Sequence, residues 1–200
     1  MSEFIVDFDG TLIYQNSSRI LEKEIYRILP LSFKKKIIYF IYFSFVSLFF
    51  DLCFIAIWRF FVNKRDVRFI VFLYLTFDFF KNNQNIVFQN CLSKISVRTD
   101  LYDKKDHLTI ASLGLDTFIQ YIVDYYKIPV KSIFASSLNE KWLFQGKTYQ
   151  DKIKFLATYP SFEYVTDDLN EYHKLIKMID NVEQNKKDWN LIFCKRFYKK

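Results

Sequence analysis

The feature that most constrains the fold of this 200-residue chain is a short apolar run near its start that ends in two carboxylates. The run Phe4–Val6 is typical of a buried strand, and Asp7, Asp9, Gly10 and Thr11 follow at its carboxyl end. Ligands of open α/β sheets bind outside the carboxyl ends of the strands. The sequence therefore predicts a parallel sheet with a functional site directly after its first strand.

The residues in this segment suit phosphoryl chemistry. An aspartate can act as a covalent nucleophile, and two neighbouring carboxylates offer hard oxygen ligands for Mg²⁺. Gly10 allows a tight turn, and Thr11 supplies a hydroxyl and a backbone N–H, so both are assigned to phosphate binding. An Asp-Gly turn after a strand is also common without any catalytic role. The partners of this segment must therefore come from later in the chain.

The string DFDGTL, Asp7 to Leu12, resembles motif I of the haloacid dehalogenase (HAD) superfamily of phosphohydrolases. The resemblance implies that Asp7 is a nucleophile, that Asp9 is a general acid and base, and that Mg²⁺ binds to Asp7 and the backbone carbonyl of Asp9. It also implies a Rossmann-like core, a parallel sheet covered by helices, with a helical C1-type cap inserted after the first strand.

Later segments resemble the other motifs of this superfamily in the expected order. Ser112 closes a predicted strand at residues 108–111, and its hydroxyl is assigned to phosphate binding together with a free backbone N–H near Gly114. Lys152, which opens a predicted helix, is assigned as the cation that neutralises the transferring group, and Lys147 is the second candidate. A strand-end serine and a lysine are also ordinary features of turns and solvated surfaces.

A cluster of carboxylates follows the predicted strand at residues 162–166. The segment from Tyr164 to Glu171 resembles motif IV of the superfamily, and the resemblance implies that Asp167 and Glu171 hold the metal alongside Asp7 and Asp9. Clustered carboxylates at a strand end also repel one another unless a cation lies between them. The alternative is an acidic helix N-terminus, where Asp168 and Glu171 are favourable without a metal. Glu171 stands where the resembled motif more commonly has an aspartate.

A long apolar insertion separates the first motif from the others. Lys34 to Lys36 precede the 26-residue stretch Ile37 to Val62, whose charged residues are Asp51 and Arg59. This length could span a bilayer, but a single crossing would separate Asp7 from all later motifs. We therefore expect the insertion to lie in one leaflet with its basic flanks at the lipid headgroups. The alternative is a soluble helical cap whose apolar faces pack together and on the core.

The predicted organisation is a catalytic core of residues 1–14 and 86–200, with residues 15–85 as the apolar cap. Spacing and a predicted hairpin at residues 142–146 are most similar to the phosphoserine phosphatase-like branch, which includes phosphatidylglycerophosphatase-type enzymes. Alternating helices and strands favour a helix-covered parallel sheet. Helices are predicted at residues 19–29, 86–97, 116–126 and 151–157, and further strands at 107–112, 130–135 and 162–166.

Charge and cysteine content bear on location and partners. A net charge of +7 suits nucleic acid, an anionic membrane or phosphorylated substrates, and no nucleic-acid-binding motif accompanies it. Cys53, Cys91 and Cys194 lack metal-ligand spacing and predict free thiols in a reducing compartment. Because a strand is predicted to begin at once, we expect no signal peptide. We expect a cytoplasmic protein, peripheral or monotopic on the inner face of the membrane.

These observations together predict a Mg²⁺-dependent phosphomonoester hydrolase that acts through an aspartyl-phosphate on an amphiphilic or lipid-linked phosphate. The alternative is a non-catalytic protein of the same fold that binds a membrane or a membrane enzyme through its apolar insertion. The presence of both Asp7 and Asp9 favours the enzyme. A phosphotransferase with the same intermediate would carry the same residues.

Overall fold

The computed structural model describes residues 2–32, 34, 64–103, 107–138, 144–147, 149–182 and 188–193. Contacts divide the chain into two compact units: Met1–Ser17 with Lys94–Lys200, and Ser18–Ser93. The predicted division placed the two junctions earlier, after residues 14 and 85. The apolar stretch Ile37 to Val62 lies outside the described residues, as do Cys53 and Cys194.

A six-stranded sheet forms the centre of the larger unit. Its strand order is β4-β3-β2-β1-β5-β6, and all neighbours are parallel except β3 and the short β4. The predicted α/β class with a helix-flanked parallel sheet is confirmed. The strands are β1 (Glu3–Val6), β2 (Leu108–Leu115), β3 (Val130–Leu138), β4 (Phe144–Gln145), β5 (Ser161–Thr166) and β6 (Asp188–Phe193).

The helices follow the predicted pattern in part. They are α1 (Ser17–Ile28), α2 (Lys64–Leu92), α3 (Asp116–Tyr126), α4 (Tyr149–Leu156) and α5 (Leu169–Val182). The bounds of α3 agree with the prediction, since its apolar positions repeat with helical spacing. The helix predicted at residues 86–97 is instead the end of α2, which is continuous across the predicted domain boundary and ends at Leu92. Among the described residues, no helix combines the length and apolar character needed to cross a membrane.

The core of the larger unit packs α4 and α5 against the sheet. Residues from β1, β2 and β5 share one buried cluster with one residue from each of these helices. The cluster places α4 and α5 beside β5, so their side chains can reach the ends of the central strands. Its buried members are Ile5, Ala111, Leu156, Phe162, Tyr164 and Leu175.

The segment after β1 is fastened to the segment that follows α2. The backbone N–H of Tyr14 donates to the carbonyl of Ser96 at 3.1 Å, and that of Arg98 donates to Leu12 at 2.9 Å. The backbone N–H of Ser96 also donates to the side-chain oxygen of Gln15 at 2.9 Å. These bonds hold side by side the two places where the chain leaves and re-enters the larger unit, and we call this contact the junction clasp.

Candidate active site

Asp7 lies at the topological switch point of the sheet, where the strand order reverses. Successive strands run from β1 to β2 and β3 on one side, and continue with β5 and β6 on the other. In sheets of this kind the crevice at the carboxyl end of the central strand binds ligands. Asp7 directly follows β1, Asp167 directly follows β5, and Ser112 lies within β2. The topology therefore brings these sequence-predicted residues to one edge.

The loop after β1 holds Asp7 in a defined orientation. The backbone N–H of Asp7 donates to the carbonyl of Val165 at 2.8 Å, which continues the pairing of β1 with β5. Its Oδ1 accepts a hydrogen bond from the backbone N–H of Phe8 at 2.9 Å. Gly10 follows with a φ of 78°, in the left-handed region that favours glycine. Gly10 is thus a turn residue, which agrees with its predicted role in shaping the loop.

Lys152 is the cation of the site. Its Nζ lies 2.9 Å from Asp7 Oδ1 and 2.9 Å from Glu171 Oε1, and its side chain is 2% exposed. The second candidate, Lys147, has its ammonium 5.4 Å from the centre of the Phe134 ring. The structure therefore brings Lys152 to the predicted nucleophile.

Burial sets the electrostatics of this pair. It raises the pKa of Asp7 to about 7, because the loss of solvent outweighs the attraction of Lys152, and Glu171 raises it further. For Lys152, burial alone would lower the pKa. The charges of Asp7 and Glu171 and the hydrogen bonds to both carboxylates instead raise it above its usual value. Lys152 is therefore a fixed positive charge and not a proton donor.

Asp9 occupies a different environment from Asp7. Its Oδ1 accepts a hydrogen bond from the backbone N–H of Ser17, the first residue of α1, at 2.7 Å. Burial raises the pKa of Asp9 to about 6, while the bonds from Ser17 and the charge of Lys152 lower it and Asp167 raises it. A carboxyl group with this pKa exchanges its proton near neutral pH.

Asp167 and Thr11 are bonded to each other. The Thr11 hydroxyl donates to Asp167 Oδ1 at 3.1 Å and accepts from the backbone N–H of Asp167 at 2.9 Å. Both residues are buried. The hydroxyl of Thr11, predicted to bind phosphate, is thus occupied in fixing the carboxylate of Asp167.

Ser112 and Gly114 lie in an irregular part of β2. The strand continues past the predicted end at Ser112 to Leu115, with a shift in register against β3. The backbone N–H of Gly114 donates to Ser112 Oγ at 3.0 Å, so the free N–H predicted there is in fact used inside the strand. A Cβ at Gly114 would lie 3.3 Å from both Ser112 Oγ and Ser17 Oγ. Gly114 therefore allows a close approach between β2 and Ser17.

Glu171 has surroundings that do not suit a metal ligand. Both of its oxygens accept hydrogen bonds, from Lys152 at 3.1 Å, Tyr164 at 3.0 Å and Thr166 at 3.3 Å. The side chain is fully buried. A carboxylate surrounded by these donors has its lone pairs taken, and its contact with Lys152 favours a role in holding that ammonium. These contacts assign Glu171 to the Lys152 ammonium and not to the metal role that was predicted for it.

Asp168 serves as the cap of α5. Its Oδ1 accepts hydrogen bonds from the backbone N–H groups of Asn170 at 2.9 Å and Glu171 at 3.2 Å. Its Oδ2 accepts a short hydrogen bond from the Tyr149 hydroxyl. Burial would raise the pKa of Asp168, but these hydrogen bonds lower it. For Asp168, the role is therefore that of the predicted alternative, an acidic residue at a helix N-terminus.

The remaining carboxylates have the chemistry of a site for a hard cation. Within the described residues, no group of three or more His, Cys, Asp or Glu side chains forms a ready cluster for a metal ion. Asp9 nevertheless raises the pKa of Asp7, and Asp167 raises that of Asp9, so the three carboxylates repel one another. Repulsion among oxygen donors is relieved by a cation such as Mg²⁺. The donor set fits that ion, with Asp7, Asp9 and Asp167 as the residues available to hold it.

Sequence reasoning missed the tyrosines around this site. Tyr164 lies in the middle of β5, is completely buried, and bonds to Glu171. Tyr149 begins α4 and bonds to Asp168. A buried tyrosine needs a partner for its hydroxyl, so a tyrosine in a strand predicted to be buried was the available signal.

No protein-family model matches this chain, and no curated protein matches it. Solved structures do match. A HAD family hydrolase from Salmonella enterica serovar Typhi has a TM-score of 0.48 and 12% identity, over 84% of this chain and 57% of that one. A phosphoserine phosphohydrolase-like protein from Francisella tularensis has a TM-score of 0.40 and 22% identity, over 88% of this chain and 83% of that one.

A structure of phosphoserine phosphatase in its apo form also matches, with a TM-score of 0.48 and 13% identity, over 98% of this chain and 95% of that one. At these identities the likeness concerns the fold alone. The present chain spans little more than half of the Salmonella hydrolase. The narrower phosphatidylglycerophosphatase-type assignment stays a prediction.

Proposed function

We propose that this chain is a Mg²⁺-dependent phosphomonoester hydrolase that forms an aspartyl-phosphate on Asp7. The observation that carries the proposal is the ion pair between Lys152 Nζ and Asp7 Oδ1, 2.9 Å apart, at the switch point of a parallel sheet. A carboxylate beside a fixed ammonium is placed to attack an electrophile whose growing negative charge the ammonium offsets.

The reaction has two halves that use the same residues. Asp7 attacks phosphorus, a P–O bond to its carboxylate forms, and the bond to the leaving oxygen breaks as Asp9 protonates that oxygen. Water then attacks phosphorus while Asp9 takes its proton. The bond to Asp7 breaks, inorganic phosphate leaves, and both side chains return to their starting states. Lys152 offsets the charge of the transferring group in each half.

The position of Asp9 supports its part in both proton transfers. The hydrogen bond from the Ser17 backbone fixes the carboxyl group, and a pKa of about 6 lets it hold or release a proton near neutral pH. Asp7 and Asp167, with the backbone carbonyl of Asp9, are proposed to hold Mg²⁺. When bound, the ion supplies positive charge that keeps the carboxylates ionised and offsets charge on phosphoryl oxygens.

Turnover of an aryl phosphate, measured in detergent with Mg²⁺ and with a chelator, tests this function. We expect hydrolysis with Mg²⁺ and its loss on chelation, because the repelling carboxylates need a cation between them. Asp167→Ala is expected to raise the Mg²⁺ concentration that gives half-maximal activity. Asp124→Ala, an aspartate on α3 outside the site, is the matched control. Absence of turnover by the unaltered protein under all of these conditions would contradict the proposal.

We further propose that the substrate is amphiphilic and that the insertion contacts an anionic membrane. The support is in the sequence: the apolar stretch Ile37 to Val62 has basic residues at both ends. Each basic residue near an anionic surface adds about 1 kcal/mol of attraction. Apolar contact would add to this attraction and is less sensitive to salt.

Flotation with anionic vesicles tests the membrane contact. We expect binding that weakens at high salt but persists, because the apolar contribution remains. Charge reversal at Lys35 and Lys36 is expected to weaken binding more than the same change at Lys127 and Lys154, which lie outside the insertion. Failure to float at every salt concentration would instead support the soluble cap.

A further inference from the structure

Tyr164 and Glu171 form a hydrogen-bonded pair on the buried side of the site, and neither takes part in the proposed bond-making steps. Tyr164 donates its hydroxyl to Glu171 Oε1 at 3.0 Å, and Glu171 lies 2.9 Å from Lys152 Nζ through the same oxygen. We propose that Tyr164 is a positioning residue that acts through Glu171 to hold the Lys152 ammonium against Asp7. The proposal rests on the hydrolase function above and adds a residue that neither the motifs nor the reaction assigned.

Lys152 needs such a support because of its own geometry. Its ammonium is carried by a flexible four-carbon stem, so one contact does not fix its position. Asp7 supplies one contact at 2.9 Å, and Glu171 supplies the second at 2.9 Å and 3.1 Å through its two oxygens. Glu171 neither attacks phosphorus nor transfers a proton in the proposed reaction, so its contact with the ammonium is a positioning contact. It fixes the direction in which the ammonium points.

The carboxylate of Glu171 is itself held from β5. Tyr164 bonds to Oε1 at 3.0 Å and Thr166 to Oε2 at 3.3 Å, so both oxygens have a donor besides Lys152. Tyr164 and Thr166 are two residues apart on the strand and therefore project from the same face. The Lys152 ammonium also lies 5.4 Å from the centre of the Tyr164 ring. Rotation of the carboxylate would break these bonds, so the orientation of Glu171 is set by the strand.

This arrangement has a specific value in a two-step reaction. Asp7 changes when it bonds to phosphorus, because its carboxylate becomes an acyl phosphate and its attraction for the ammonium is altered. Glu171 takes part in no bond-making step, so the reaction does not alter its contact with the ammonium. An ammonium anchored on Glu171 therefore stays in place during both halves of the reaction.

Kinetics of Tyr164→Phe provide the first test. The ring stays and only the hydroxyl is lost, so we expect kcat to fall about tenfold and KM to change less than about twofold. Tyr126→Phe is the matched control, since it removes a hydroxyl that donates to the Ile95 carbonyl at 3.1 Å, away from the site. In a Glu171→Gln background, Tyr164→Phe is expected to have less than about a twofold further effect, because Tyr164 acts through that carboxylate.

A second measurement reports on Lys152 without substrate. In lysine-labelled protein, the buried ammonium should give an NMR signal protected from solvent exchange, assigned by its loss in Lys152→Met. Tyr164→Phe is expected to speed that exchange about tenfold or more, and Tyr126→Phe to leave it unchanged. An unchanged signal in Tyr164→Phe, or independent effects of the Tyr164 and Glu171 substitutions, would overturn the positioning role. Failure of the hydrolase proposal would show differently, as absent turnover by the unaltered protein.

Discussion

Asp7→Asn is expected to lower aryl phosphate hydrolysis by roughly a thousandfold or more while leaving the fold intact. The amide has nearly the shape of the carboxyl group but cannot form the acyl phosphate. It can still accept the hydrogen bond that Phe8 donates to Asp7 Oδ1 in the structure. Turnover with Mg²⁺ and circular dichroism together measure the two halves of the prediction.

The stability of the same variant depends on pH in a defined direction. Because the pKa of Asp7 rises from 3.8 to about 7 on folding, the folded protein binds that proton more tightly than the unfolded chain. Its contribution is fully present below 3.8 and is lost as pH rises through about 7. In chelator, Asp7→Asn should therefore unfold at a higher temperature than the unaltered protein above about pH 8, and this advantage should disappear in acid.

The control is Asp124→Asn, the same chemical change on an exposed face of α3, where the carboxylate accepts from Gln120. It should retain activity and show no such gain in stability at high pH. Residual hydrolysis by Asp7→Asn above about a tenth of the unaltered rate would remove Asp7 as nucleophile. If Asp7→Asn is less stable than the unaltered protein at high pH, burial does not raise the pKa of Asp7.

Lys152→Met is expected to lose both activity and stability. The change leaves the carboxylates of Asp7 and Glu171 buried without the ammonium between them. Removing one partner of a buried ion pair costs about 3–5 kcal/mol of unfolding free energy. Loss of the charge that faces the transferring group should lower kcat by roughly a hundredfold. Urea denaturation and aryl phosphate turnover measure the two effects.

Lys154→Met is the matched control, because Lys154 lies two residues further along α4 and its side chain is exposed. It should change neither quantity. The double variant Lys152→Met with Glu171→Gln should be more stable than Lys152→Met alone, since one of the two unpaired carboxylates is then neutral. Equal unfolding free energies for Lys152→Met and Lys154→Met would show that the buried carboxylates do not depend on the ammonium.

The sequence predicted the parts of this fold that carry strong periodicity. The buried strand before Asp7 and the amphipathic α3 were placed by apolar spacing alone. The predicted boundary between residues 85 and 86 follows the polar run of residues 82–85, but α2 continues through that run. In the structure, Asn83 bonds within the helix to the carbonyl of Phe79. The edge strand β6 was not predicted, although four of its six residues, Trp189, Leu191, Ile192 and Phe193, are apolar.

The positions of the site residues at strand ends could be predicted from the sequence, but the contacts between residues distant in the chain could not. The carboxyl ends of β1 and β5 could be recognised, and parallel strands bring such ends together. No spacing rule shows that Lys152 reaches Asp7, because 145 positions separate them in the chain. The same limit applies to Glu171, whose partners are fixed by the packing of α4 and α5 on the sheet. The sequence shows that residue 171 is acidic, but it does not show whether Glu171 contacts a metal ion or the ammonium of a lysine.

The junction clasp has a consequence for the loop that carries the predicted nucleophile. Its bonds join Tyr14 and Gln15 to Ser96, and Arg98 to Leu12, so all of them lie within the larger unit. The segment from Ser18 to Ser93 supplies none of these donors or acceptors. A substitution within that segment therefore removes no bond of the clasp, and the turn after Asp7 stays attached to the chain that leads into β2.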